Sequence, residues 1–152
     1  MSTISFDRLV QGYEQLSPDS LNELMSLYSD DAFFKDPFNE VRGKAQIQAI
    51  FGDMFEHLHE PRFAITQRVT QDDHMVLMWD MHLSLKGKHA QKRHIIRGCT
   101  HLRCNSQGLI DWHRDYWDTG EELYMHVPVL GAVIRAIRRK LRTVPNPISP
   151  AH

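Results

Sequence analysis

Cysteine is scarce here: Cys99 and Cys104 are the two in 152 residues. Residues at odd spacing on one extended strand project to opposite faces, so this pair is expected to stay unbonded. Ten histidines are present, but neither HExxH nor CxxC occurs. His57 and His59 stand i,i+2, a spacing that diverges on a helix, so no metal site is expected. No apolar run is long enough to cross a membrane. The start, "MSTISFDRLVQGYEQ", lacks the apolar stretch of a secretory leader and carries Asp7 and Glu14. Free thiols without a leader point to a reducing cytoplasm. A net charge of −1 gives no global footprint for nucleic acid. Internal repeats are lacking too.

Enough apolar material remains for one sizeable core, at 41% hydrophobic residues. Phe6, Leu9, Val10, Tyr13 and Leu16 recur at helical spacing. Ser17 and Pro18 form a helix start, and the helix they begin carries Leu21, Leu24, Met25 and Tyr28 on one side. A short strand is expected over Ala32 to Asp36, since a residue before proline is biased toward extended backbone. "PFNEVRG" reads as a loop. A third helix runs from Lys44 to Leu58, with Ile47, Ile50, Phe51, Met54, Phe55 and Leu58 as its buried stripe, and Pro61 closes that region.

The rest reads as antiparallel sheet. Strands are expected over Arg62 to Thr70, Met75 to Leu85, Gln91 to Cys104 and Leu109 to Trp117, with turns at "QDD", "KGK" and "NSQG". The second of these alternates, with Leu77, Trp79, Met81 and Leu83 on one face and Met78, Asp80 and His82 on the other. Three helices followed by a sheet give an α+β class, a curved sheet wrapped on helices as a cone with an apolar mouth. Residues 1–127 form this domain. Residues 128–152 add a basic amphipathic helix and a proline-rich tail rather than a second domain.

"WHRDYWD", residues 112–118, packs charge and aromatic rings together. On a strand, His113, Asp115 and Trp117 share one face, while Trp112, Arg114 and Tyr116 share the other. Asp118 is expected to cap the helix that "DTGEE" begins.

Two stretches resemble a known superfamily. "LYSDDAFFKDPFNEVRG" is similar to the Y-x-D-D-A-x-x-x-D-P segment of ketosteroid isomerases and SnoaL-like proteins of the nuclear transport factor 2-like superfamily. "GLIDWHRDYWD" resembles the last strand of SnoaL-like polyketide cyclases and limonene epoxide hydrolases. The resemblance implies a cone-shaped α+β barrel, a deep apolar pocket and a homodimer. It puts Asp36 where ketosteroid isomerases hold their general base, Tyr13 near their oxyanion tyrosine, and Thr100 where their second oxyanion donor, a protonated aspartate, stands. Asp115 falls on one of two catalytic aspartates of the epoxide hydrolases. Their other aspartate and its arginine lack a clean match, since Met78 stands two residues before Asp80.

The resemblance also turns His113, Asp115 and Trp117 into the cone. A carboxylate among apolar groups has its charged form disfavoured, and a histidine on the same face can share its proton and do acid–base work. The alternative is that His113 and Asp115 satisfy each other or pair with Arg97. Asp36 has a local alternative, an aspartate bonding the amides of its own turn. Phe34, Phe38, Phe51, Phe55, Trp79 and Met81 are expected along the pocket wall, or as plain core.

Three functions are therefore open. One is a cofactor-independent isomerase or cyclase that moves a proton on a steroid- or polyketide-like molecule through Asp36 or Asp115, with Tyr13 or His113 donating to the developing oxyanion. The second is a module that binds a small apolar molecule without chemistry. The third is a dimeric interaction protein that uses the outer sheet face of Asp80, His82, Arg97 and His101. The helix "VLGAVIRAIRRKLR" adds Arg135, Arg138, Arg139, Lys140 and Arg142. It is expected to pack over the barrel or a second subunit rather than on a membrane.

Overall fold

In the computed structural model, residues 6–87 and 91–143 are described. Lys88 of the "KGK" turn and the proline-rich tail from residue 144 lie outside them. The chain divides into two compact units, Met1–Trp117 and Asp118–His152.

The first unit opens with helices α1 (Phe6–Glu14) and α2 (Leu21–Met25). The second helix is shorter than its apolar spacing suggests. Ser17 and Ser20 bond reciprocally, each backbone N–H donating to the other's Oγ at 2.9 and 3.2 Å. That local turn consumes the residues that were to open the helix. Tyr28, expected on the helix, instead begins strand β1 (Tyr28–Lys35). The "PFNEVRG" segment is more than a loop, because β2 (Glu40–Arg42) pairs with β1 within it. Helix α3 (Lys44–His57) follows, entered through Gly43 at φ +112°, a conformation that favours glycine. Of its expected stripe, Ile47 and Phe51 are buried, while Ile50, Met54, Phe55 and Leu58 are only partly so.

Strands β3 (Leu58–Gln71), β4 (His74–Leu85), β5 (Arg93–Cys104) and β6 (Ile110–Trp117) complete one open sheet, in the order β2-β1-β6-β5-β4-β3. Strand β3 runs through Pro61 rather than starting after it. It is an edge strand, and its pairing slips between His59 and Arg62, a bulge where proline is tolerated. A second slip lies between Ile65 and Gln67. All pairs are antiparallel except β1 with β6, which run parallel. Both cysteines lie on β5 as free thiols.

Helix α3 packs on β1 and β3, and α1 packs on β3. The core fills the space between helices and sheet: Leu9 and Tyr13 from α1, Leu24 from α2, Ile47 and Phe51 from α3, and the inward row Met75, Leu77, Trp79, Met81 and Leu83 of β4. One glycine is required by this packing. A Cβ on Gly98 of β5 would lie 2.6 Å from the Trp79 ring and 2.8 Å from the Tyr116 carbonyl oxygen, so only glycine lets the indole lie across the strand.

In the second unit, Asp118 caps α4 (Thr119–Glu122) by accepting the Glu121 N–H. A single 3₁₀ turn, Tyr124–His126, leads to α5 (Leu130–Leu141). That helix starts two residues after Pro128, beyond Val129, whose φ of +65° breaks the helical path.

Candidate active site

Parity on β6 turns His113 and Asp115 inward, where β5 and the helices meet them. His113 is 2% exposed and Asp115 20%. Around the imidazole, Phe34 packs at 4.6 Å between centroids and Phe51 at 6.2 Å, edge-on. These rings fix the imidazole plane, and hydrogen bonds fix its two nitrogens. Nε2 lies 2.9 Å from Asp115 Oδ1. Nδ1 lies 2.7 Å from the Tyr28 hydroxyl and 3.3 Å from that of Tyr13, and the two hydroxyls are 2.5 Å apart. On the other side Thr100 Oγ1 donates to Asp115 Oδ1 at 2.5 Å and accepts the Trp79 indole N–H at 2.8 Å.

The result is one buried chain: Trp79, Thr100, Asp115, His113, Tyr28, Tyr13. Its protons can be assigned by satisfaction. With Asp115 ionised, Nε2–H donates to Oδ1, bare Nδ1 accepts from Tyr28, and Tyr28 accepts from Tyr13. Every hydroxyl proton then has an acceptor. An imidazolium would reverse the tyrosines and leave the Tyr13 proton without a partner in this network. Burial is the main cause that raises both tyrosines above their ordinary value, and the charge of Asp115 adds to it, so both stay protonated. The contact between the two hydroxyls works against the rise at Tyr13. Both bonds to Asp115 fall on Oδ1, and neither uses Oδ2.

This chain borders a small cavity lined by Tyr13, Phe51, Phe63, Ile65, Leu77, Trp79, Thr100, His113 and Asp115. The cavity has a volume of about 20 Å³, room for one water. Phe63 meets Trp79 edge-on at 5.4 Å.

Tyr13, Phe51, Trp79, Thr100, His113 and Asp115 thus come together as the sequence suggests. Thr100 spends its proton on Asp115 rather than presenting it to the cavity. Asp36 does not line this cavity. Its Oδ1 accepts the backbone N–H groups of Phe38 and Asn39 at 2.7 and 2.6 Å, and Asn39 Nδ2 donates to Oδ2 at 3.0 Å. It is the local turn aspartate. Phe34 stands behind His113, and Met81 and Phe55 pack in and against the core. Phe38 is 59% exposed and meets the Trp117 ring at 5.7 Å, away from the cavity lining.

Tyr28, Phe63, Ile65 and Leu77 were not foreseen as site residues. Leu77 shares strand parity with Trp79, and Tyr28 is the tyrosine of the Y-x-D-D-A segment, so both left a signal. Among the described residues, no group of three or more His, Cys, Asp or Glu side chains is arranged to hold a metal ion.

Comparison with known proteins agrees with the fold. A protein with a ketosteroid isomerase-like fold from Catenulispora acidiphila, solved with trimethylamine, superposes with a TM-score of 0.66 at 18% identity, covering 80% of this chain and 92% of its own. A nuclear transport factor 2-like protein of unknown function from Burkholderia pseudomallei gives 0.67 at 14%, covering 76% and 92%. A protein assigned as a SnoaL-like polyketide cyclase from Shewanella denitrificans gives 0.63 at 21%, covering 77% and 95%. At such identities the likeness shows the fold alone. No curated protein matches the chain significantly. The model of the SnoaL-like domain matches residues 9–113, and the chain therefore belongs to the SnoaL-like domain family.

Proposed function

We propose that this protein is a cofactor-independent acid–base catalyst for a compact apolar molecule bearing a carbonyl group, an isomerisation or cyclisation in reaction type. The observation that carries this reading is the buried polar chain that holds Asp115 from both sides at the cavity wall. Asp115 Oδ2 takes the proton next to the carbonyl. His113 and Thr100 hold the other oxygen, so the carboxylate is oriented before substrate arrives. The Tyr13 hydroxyl, also on the wall, turns its proton from Tyr28 to the developing enolate oxygen. Tyr28 loses one accepted bond and keeps its own donation to His113, so the turn is inexpensive. Polyketide- or steroid-like molecules enter by displacing Phe63 and Ile65, which are partly buried on the edge strand β3.

A non-catalytic binding module is the second reading. The one-water cavity and the commitment of the Thr100 proton to Asp115 favour it. The two separate by deuterium exchange at the carbon beside the carbonyl of small cyclic ketones, followed by proton NMR in heavy water. The enzyme reading expects exchange well above the buffer rate, lowered about 10²–10⁴-fold by Asp115→Asn and left intact by Asp36→Asn. Exchange at the buffer rate, or an undiminished Asp115→Asn, rejects catalysis.

A further inference from the structure

Helix α5 carries two properties that the catalytic reading does not use. At 3.6 residues per turn, Leu130, Val133, Ile134, Ile137 and Leu141 fall within an arc about 100° wide. Val133 is 51% exposed, Ile137 49% and Leu141 76%. Its contacts with the rest of its own unit use another side. Gly131 sits where an added Cβ would be 2.2 Å from the Met125 carbonyl oxygen. Arg135 donates to that same oxygen at 2.9 Å, and Arg138 lies 3.9 Å from Glu121. Within its unit the helix is therefore anchored by its glycine and arginine side, and the apolar arc is turned away from those contacts.

The second property is charge. Arg139, Lys140 and Arg142 form no ion pair with the described residues, and no acid occurs between Gly131 and Arg142. Lys140 borders the apolar arc, where its long cationic stem can lie along apolar surface and lift its head away from it. A second copy of this helix would bring a like-charged surface against it. Nucleic acid would use the cations and leave the apolar arc wet. An anionic lipid surface satisfies both features at once, with acyl chains for the arc and headgroups for the flanks.

We infer that α5 docks on anionic membrane, lying flat with Val133, Ile137 and Leu141 in the interface. The test is co-sedimentation of the full chain with vesicles of phosphatidylcholine, with and without phosphatidylserine. The chain is expected to pellet only with the phosphatidylserine vesicles. Val133→Glu/Ile137→Glu should abolish pelleting. Lys140→Gln, at an exposed position beside the arc, should weaken it by about fivefold. Absence of pelleting on phosphatidylserine vesicles overturns the inference. So does binding that survives the glutamates, which means adsorption by charge alone. Sedimentation velocity supplies the remaining outcome: a dimer dispersed by the glutamates, with no lipid binding by the parent chain, assigns the face to a second copy and also overturns it.

Discussion

Tyr28→Phe removes one oxygen that joins two others. The Tyr28 hydroxyl bonds Tyr13 at 2.5 Å and His113 Nδ1 at 2.7 Å, and both bonds are buried. Without it, Tyr13 and Nδ1 keep only their 3.3 Å contact. Tyr13→Phe loses less, because Tyr28 still donates to Nδ1. A net hydrogen bond contributes about 0.5–1.5 kcal/mol, while a stranded buried partner costs about 1–3 kcal/mol. Tyr28→Phe should therefore cost about 2–3 kcal/mol and Tyr13→Phe about 1 kcal/mol. In the double variant the shared bond is lost once, not twice, so the single costs should exceed their joint cost by about 1 kcal/mol. Urea unfolding at neutral pH measures this cycle, read at constant m-value so that the change reports stability. Equal costs for the two single variants, or simple additivity, would refute the linear order Tyr13–Tyr28–His113.

Alkaline pH offers an independent check on the same pair. Tyr13 and Tyr28 are raised above 10.0 chiefly by burial. Above pH 10.0 the unfolded chain gives up these protons before the folded one does. Their contribution to stability is thus complete below that pH and falls as pH rises toward the folded values, by about 1.4 kcal/mol per pH unit for each tyrosine. Tyr28→Phe should halve that slope in denaturant titrations across alkaline pH, and an unchanged slope contradicts the burial. Gly98→Ala places a methyl 2.6 Å from the Trp79 ring and 2.8 Å from a backbone oxygen. It should cost about 1–3 kcal/mol and alter the near-ultraviolet circular dichroism as the indole tilts off Thr100; a neutral variant would show that β4 and β5 give way freely.

Strand periodicity was the most legible feature. The alternation of Met75 to Leu83 and the split of "WHRDYWD" into inward and outward trios both hold, because a half-buried strand writes its faces directly into the sequence. Tyr28 was obscured for the opposite reason. Its spacing from Leu21 and Leu24 continues a helical stripe. What removes it from the helix is pairing with Ile110, remote in sequence and followed by a slip before Phe33. The parallel β1–β6 pair was equally hidden, since nothing local distinguishes a strand that will pair parallel from one that will not.

The two aspartates show why the site was half legible. Asp36 and Asp115 are alike in type and both lie in motifs of the same resemblance, yet their donors differ in origin. Those of Asp36 come from Phe38 and Asn39, two and three residues away. Such bonds form wherever that turn forms, and they specify backbone rather than chemistry. The donors of Asp115 are Thr100 from the neighbouring strand and His113, whose other nitrogen is held by Tyr28 and Tyr13 from the start of the chain. Only the assembled fold brings these groups together, and it does so at the wall of a cavity. A carboxylate held by distant donors has its orientation set by tertiary structure, and here both of those bonds fall on Oδ1. That difference, rather than the identity of the residue, is what favours Asp115 over Asp36 in the proposed proton transfer.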